Sequence, residues 1–240
     1  MKKILLGLVS VGAVLALVPM FAAFEAHVVN VTATIENALY VHPQSIQYGT
    51  VFPQEHLLSD FQITFSDSFS VDSQTRVGKV DYVIKQKPMP RPAFVNDVGI
   101  MAARDWCHQN DPVDIGNPQD PYYVKCYPNL CPYLSKTPDG VPATGTNANN
   151  DIGVKPFHDP DTQFAYGKLV KTPVIGRDSS DNWTIDLAVP CFQGQCAQDW
   201  DTFVHTLNPD AGDSEQYKLP QGLEHEVFGC DLWTEVTRIY

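Results

Sequence analysis

The cysteines are the residues of this chain whose chemistry reads most directly: Cys107, Cys126, Cys131, Cys191, Cys196 and Cys230. An even set behind an export signal reads as three disulfides formed in an oxidising compartment. Many pairings are open to six thiols, and the sequence does not choose among them. Cys191 and Cys196 flank Phe-Gln-Gly-Gln, and Cys126 and Cys131 flank Tyr-Pro-Asn-Leu. Both inserts favour a turn, so the leading expectation is two local bridges, Cys191–Cys196 and Cys126–Cys131, which leaves Cys107 for Cys230. The repeated C-x4-C spacing also suits zinc thiolates, but disulfides are the ordinary fate of cysteines in an exported chain.

The other reactive residue types form no recognised catalytic pattern. After the amino-terminal leader there is no G-x-S-x-G elbow, and there is no Gly-rich phosphate loop. His225-Glu226 begins like a zinc-protease helix, but the position of its second histidine holds Gly229. The remaining histidines are scattered. Carboxylates gather in turn-like segments: Asp159 with Asp161, Asp178 with Asp181, and Asp210 with Asp213 and Glu215. Calcium takes its oxygens from such loops, and the last trio is the best candidate; none has EF-hand spacing, and turn chemistry accounts for Asp there equally well. Asn30 and Asn182 stand in N-x-[ST] sequons. The expectation is a protein that is not an enzyme and has no cofactor, with calcium as the one candidate ion.

The elements that must position these residues read as strands. Residues 1–23 carry Lys2 and Lys3, an apolar run to Ala23 and small residues at its end, the pattern of a signal peptide. The net charge is −12; without the leader, 14 basic residues face 28 acidic ones, a net −14. Such a surface repels nucleic acid. In the next stretch Val29, Val31, Ala33 and Ile35 alternate with Asn30, Thr32, Thr34 and Glu36, which is the period of a half-buried strand. The same cadence recurs at Ile46 and Tyr48, at Phe61, Ile63 and Phe65, and at Val80, Tyr82 and Ile84. From Pro88 to Pro160 the pattern stops. Twelve of the 19 prolines fall there, with the polar run Thr-Gly-Thr-Asn-Ala-Asn-Asn-Asp. This predicts a loop-rich, disulfide-stapled insertion over about 88–163, whose best helix is a short one at Gly99–Trp106. Strands return at Phe164–Gly176, at Ile185, Leu187 and Val189, and at Asp231–Tyr240. The fold class expected is all-β: one jelly-roll-like β-sandwich over 24–240, its sheets combining residues 27–87 with 164–240.

The amino-terminal quarter also resembles a known family. Residues 22–27, Ala-Ala-Phe-Glu-Ala-His, are similar to the A-x-F-x-D start of the camelysin/TasA-like surface proteins. Residues 29–41 resemble that family's N-x-F-x-A-x-x-L-x-L strand. Ile46–Phe69 resembles its G-x-[ILV]-x-P-G-[DE] turn and following strand, with Gln54 in place of the second glycine. The resemblance implies an exported jelly-roll subunit of a cell surface or biofilm matrix, with fibres formed when the freed amino-terminal strand of one copy fills a groove in the next. The assembly strand is then Val29, Val31, Ala33 and Ile35, the alternative being an ordinary first strand paired within its own subunit; the main partner is a second copy, and the membrane is met only through the signal peptide. Two other classes stand beside this reading. One is a secreted module binding glycan or protein through the insertion, where Trp106, Tyr122, Tyr123 and Tyr133 either form a platform or cover a satellite core. The other is a camelysin-type metallopeptidase, a label some family members carry and for which no ligand motif is present here.

Overall fold

The computed structural model describes residues 36–70, 76–139, 151–172 and 176–240. Two antiparallel sheets face each other. One has the order β1 (Leu39–His42), β2 (His56–Phe65), β6 (Ser180–Ala188) and β4 (Thr137–Pro138). The other has the order β5 (Ala165–Val170), β3 (Lys79–Lys87) and β7 (Asp231–Ile239). Period two explains both inner faces. In β2 it turns Phe61, Ile63 and Phe65 inward; in β6, Trp183, Ile185 and Leu187; in β3, Val80, Tyr82 and Ile84. Trp183 lies at the centre, fully buried, with Phe61 at 6.5 Å and the edge of Tyr82 at 6.5 Å between ring centroids. Gly167 of β5 sits against the Tyr82 ring; a Cβ there would meet it at 2.1 Å, so a residue without a side chain lets this ring enter the core.

A second aromatic group closes one end. Phe157 is surrounded by Tyr133, Trp200, Phe203 and Tyr217 at centroid distances of 5.3–6.0 Å. Trp200 and Val204 are one turn apart on α5 (Trp200–Leu207), which presents them to the core. The fold is thus β-rich but not all-β. The expected loop-rich insertion contains α2 (Pro92–Val98), α3 (Ile100–Gln109) and α4 (Pro121–Lys125), besides the one-turn α1 (Asp67–Ser70) before it. Pro92 and Pro121 occupy first-turn positions where their missing N–H costs nothing, and Asp120 caps α4 by accepting from the Tyr122 amide at 2.8 Å. Cys107, Tyr122, Tyr123, Cys126 and Leu223 form a satellite core under these helices, with Trp106 packed against it; Tyr133 belongs to the main core.

The stretch holding Ile46 and Tyr48 is not a strand. It crosses the edge of the main core as irregular chain, with both side chains half-buried against it. Gly49 at φ 74° and Pro53 punctuate it against ladder formation. The strand expected over residues 29–35 lies outside the described residues.

Candidate functional site

All six cysteines are bridged, but two of the three bridges differ from the expected pairing: Cys107–Cys126, Cys131–Cys230 and Cys191–Cys196. The segment between Cys126 and Cys131 does not close on itself. It runs extended, bridging Pro90 at Cys126 and Gly229 at Asn129. The second pairing sets Cys131 beside Cys230. The first leaves Cys126 facing α3, where Ala103 and Cys107 are the buried positions one turn apart. Three disulfides suit an oxidising, extracellular setting. No helix among the described residues is long and apolar enough to cross a membrane.

A cavity of about 260 Å³ opens where the satellite core meets the sheets. Gln86, His108, Asp111, Tyr122, Asn129 and Asp161 contribute to its wall, beside Cys107 and Cys131. Carboxylates, amides and tyrosine edges at this scale match a small polar ligand better than an apolar one.

Behind Gln86 is a buried polar triad. Gln86 continues the inward face of β3 two residues beyond Ile84, where period two places it in the core. Lys136 is fully buried; its Nζ donates to Gln86 Oε1 and to the Leu134 carbonyl at 3.0 Å. Gln86 Nε2 donates to His158 Nε2 and to the Gln163 carbonyl at 3.0 Å. Burial pushes the Lys136 ammonium down to about 7. Burial, and then the neighbouring Lys136 charge, pushes the His158 imidazole down to about 3. His158 is therefore neutral at physiological pH, and with Nε2 accepting, Nδ1 carries its proton.

A second buried group lies between the sheets. Asp181 shares the inward face of β6 with Trp183 and is 1% exposed. Tyr82 donates its hydroxyl to Asp181 Oδ2 and receives the Trp183 indole N–H at 2.8 Å. Burial, reinforced by Asp151, raises Asp181 to about 8; burial also raises Asp151 to about 7. The Tyr82 hydroxyl is driven well above its ordinary value by burial and by Asp181. Both carboxyls thus hold a substantial share of protons at neutral pH.

No protein-family model, curated protein or solved structure matches the chain in the comparisons with known proteins.

Of the carboxylates singled out from sequence, Asp161 lines the cavity and Asp181 is buried on β6 rather than in a turn, whereas the preferred calcium trio falls elsewhere. Asp210 is paired with Lys155 at 3.4 Å on an exposed surface. Asp213 caps the turn Ser214–Tyr217 by accepting from the Glu215 amide at 3.0 Å, and Glu215 is paired with Lys218. Among the described residues, no group of three or more His, Cys, Asp or Glu side chains is placed to hold a metal ion. Asn182 is exposed on β6, hydrogen-bonded to Gln62 and Asp139. Val29, Val31, Ala33 and Ile35 lie outside the described residues. Gln86 and Asp181 were detectable in sequence, because each continues the alternation of an apolar inward face; Lys136 and His158 sit in irregular chain, where no periodicity marks them.

Proposed function

We propose that the chain is an exported structural subunit of a cell surface or extracellular matrix, built as a jelly roll, which assembles by giving its amino-terminal strand to a neighbouring copy. The observation that carries this reading is the outer edge of β7, which none of the described residues pairs. β7 is nine residues long, and among the described residues it pairs only with β3. Its carboxyl half is exposed, with Val236 and Ile239 at the surface. The other edges suit pairing less well. β4 has two residues and β1 four, and β5 is already bridged by Ile152 and Asp178. A long edge with unpaired backbone groups is a template for an added strand. The alternating residues 29–35 have the period such a strand needs, and the resemblance of residues 22–87 to camelysin/TasA-like proteins points the same way. In this reading the chain has no catalytic role.

The test is electron microscopy and sizing of the chain purified without residues 1–23. Fibres or large oligomers are expected, and deletion of residues 24–36 is expected to reduce them to monomers. A chain that stays monomeric at all concentrations with 24–36 intact contradicts the proposal. The polar cavity beside Cys107 and Cys131 favours a second reading, a secreted module that binds a small saccharide. That reading predicts glycan binding by the monomer that Asp111→Ala abolishes. Chelator-sensitive cleavage of casein would instead favour the peptidase reading.

A further inference from the structure

Lys136 is an amine in the interior with a primary carboxamide, not a carboxylate, beside it. Its side chain is fully buried, and burial alone sets its titration, with no carboxylate lending support. A lone buried ammonium costs several kcal/mol, by order of magnitude, unless it is neutralised or paired. The local chain is arranged around it nonetheless. Lys136 exchanges both backbone hydrogen bonds with Val154 at 2.8 Å. Gly153 allows that approach, since a Cβ there would meet the Lys136 carbonyl at 2.5 Å. Residues 153–158 therefore run beside Lys136 and bring His158 to the far side of Gln86. The amine touches the carboxamide oxygen, one bond from the carbonyl carbon, and the imidazole touches the carboxamide nitrogen.

We propose that Lys136 and Gln86 join in an intramolecular isopeptide bond that the folded chain forms by itself, with His158 as the catalytic proton carrier. The Nζ lone pair adds to Gln86 Cδ, and the bond from Cδ to Nε2 breaks with its electron pair. One proton of the attacking amine passes through His158 Nε2 to the departing nitrogen, which leaves as ammonia. An amine and a primary amide become a secondary amide and ammonia, and neither an oxidant nor any other co-reactant is consumed.

The requirements of that exchange are met by the site. The nucleophile must be unprotonated, and burial holds the Lys136 ammonium down to about 7. The carrier must be unprotonated at Nε2, and His158 is held neutral, with that nitrogen on the Gln86 carboxamide. Water must be excluded, and Gln86, Lys136 and His158 are 3%, 0% and 2% exposed. Amide exchange is slow between free partners, but fixed orientation supplies effective molarities on the order of 10⁵–10⁸ M. Gln86 also lines the cavity beside the disulfides, which gives ammonia a way out. The product removes the buried charge. It also ties β3, in one sheet, to the residue leading into β4, in the other. The inference does not rest on the fibre reading; each can fail alone.

Mass spectrometry of the full chain, reduced and denatured, decides the matter. The expected mass is lower than that of the reduced sequence by one ammonia. A digest is expected to contain one species joining the peptide of Gln86 to that of Lys136, uncleaved by trypsin after Lys136. An unshifted mass with no joined peptide overturns the proposal. Lys136→Met is expected to restore the full mass, and persistence of the loss in that variant overturns it. If that variant does not fold, the joined peptide of the wild-type chain still decides. His158→Asn is expected to slow the appearance of the lighter species during first folding, started from chain recovered unfolded from inclusion bodies and shown by mass to be unlinked, by at least about tenfold; an unchanged rate removes His158 from the reaction.

Discussion

Asp181 is a carboxyl group at a position where period two calls for apolar surface. It shares a strand face with Trp183, Ile185 and Leu187 and is almost fully buried. Its ordinary value is 3.8, and burial with the nearby Asp151 charge raises it to about 8 in the fold. Between these values the folded state keeps a proton that the unfolded chain has lost, so this group makes stability fall as pH rises. Its contribution is complete below the unfolded value and is lost as pH climbs through the folded one. Asp151, raised to about 7, acts with the same sign. His158 and an unlinked Lys136 act with the opposite sign, so the informative comparison is between variant and wild type. Asp181→Asn keeps an acceptor for Tyr82 and removes the titration. Its stability relative to wild type is expected to grow between about pH 4 and pH 8 and then level off, by about 5–6 kcal/mol in all. Thermal melts across that range test this; parallel curves for the two proteins would show that Asp181 is already ionised in the fold. The same residue marks how much of the interior could be read from sequence. A polar residue in register with an apolar face, as at Gln86 and Asp181, is visible in the alternation. Lys136 and His158 are not, because three-dimensional closure of irregular chain placed them.

At the level of elements, period two located β2, β3 and β6, because each buries one face against the opposite sheet; β7 is a strand as expected, but none of its residues is buried. It failed where burial and alternation part. Ile46 and Tyr48 alternate and are half-buried, yet they pack from a loop. Helix α3 was underestimated because the apolar Ile100 and Met101 are exposed, while its buried stripe is made of the small residues Ala103 and Cys107. The disulfide pairing depended on this helix, since Cys107 can meet Cys126 only if α3 turns it toward α4. The resulting bridges should contribute unequally. Cys131–Cys230 spans 99 residues and ties the start of one turn to the start of β7, whereas Cys191–Cys196 spans 5. Loop-closure entropy assigns about 4–5 kcal/mol to the first and about 2 kcal/mol to the second. Denaturant titration under non-reducing conditions is therefore expected to rank Cys131→Ser/Cys230→Ser well below Cys191→Ser/Cys196→Ser in stability. Equal losses would mean that the bridges act through native packing rather than by restricting the unfolded chain.

At the scale of the whole molecule, the proposed assembly has to overcome charge. The chain carries −12, and −14 once Lys2 and Lys3 are gone. Two such subunits repel each other on approach, and the repulsion reaches as far as the ionic atmosphere allows: about 30 Å at 0.01 M salt and about 8 Å at 0.15 M. Strand addition depends on backbone hydrogen bonds and on side chains entering an apolar face, and neither is weakened much by screening. Salt should therefore remove the barrier while leaving the attraction. Acidic groups line the receiving strand too: Asp231 and Glu235 on β7 are each matched by a neighbour in the same subunit, Arg104 and Lys85 respectively, so they offer little to an incoming strand. The assembled fraction measured by sedimentation is expected to rise several-fold when salt is raised from about 0.01 to about 0.15 M, with a shorter lag in the time course. An assembled fraction that falls with salt would mean that opposite charges, rather than a shared strand, hold the copies together, and the outer edge of β7 would then have no part in joining them.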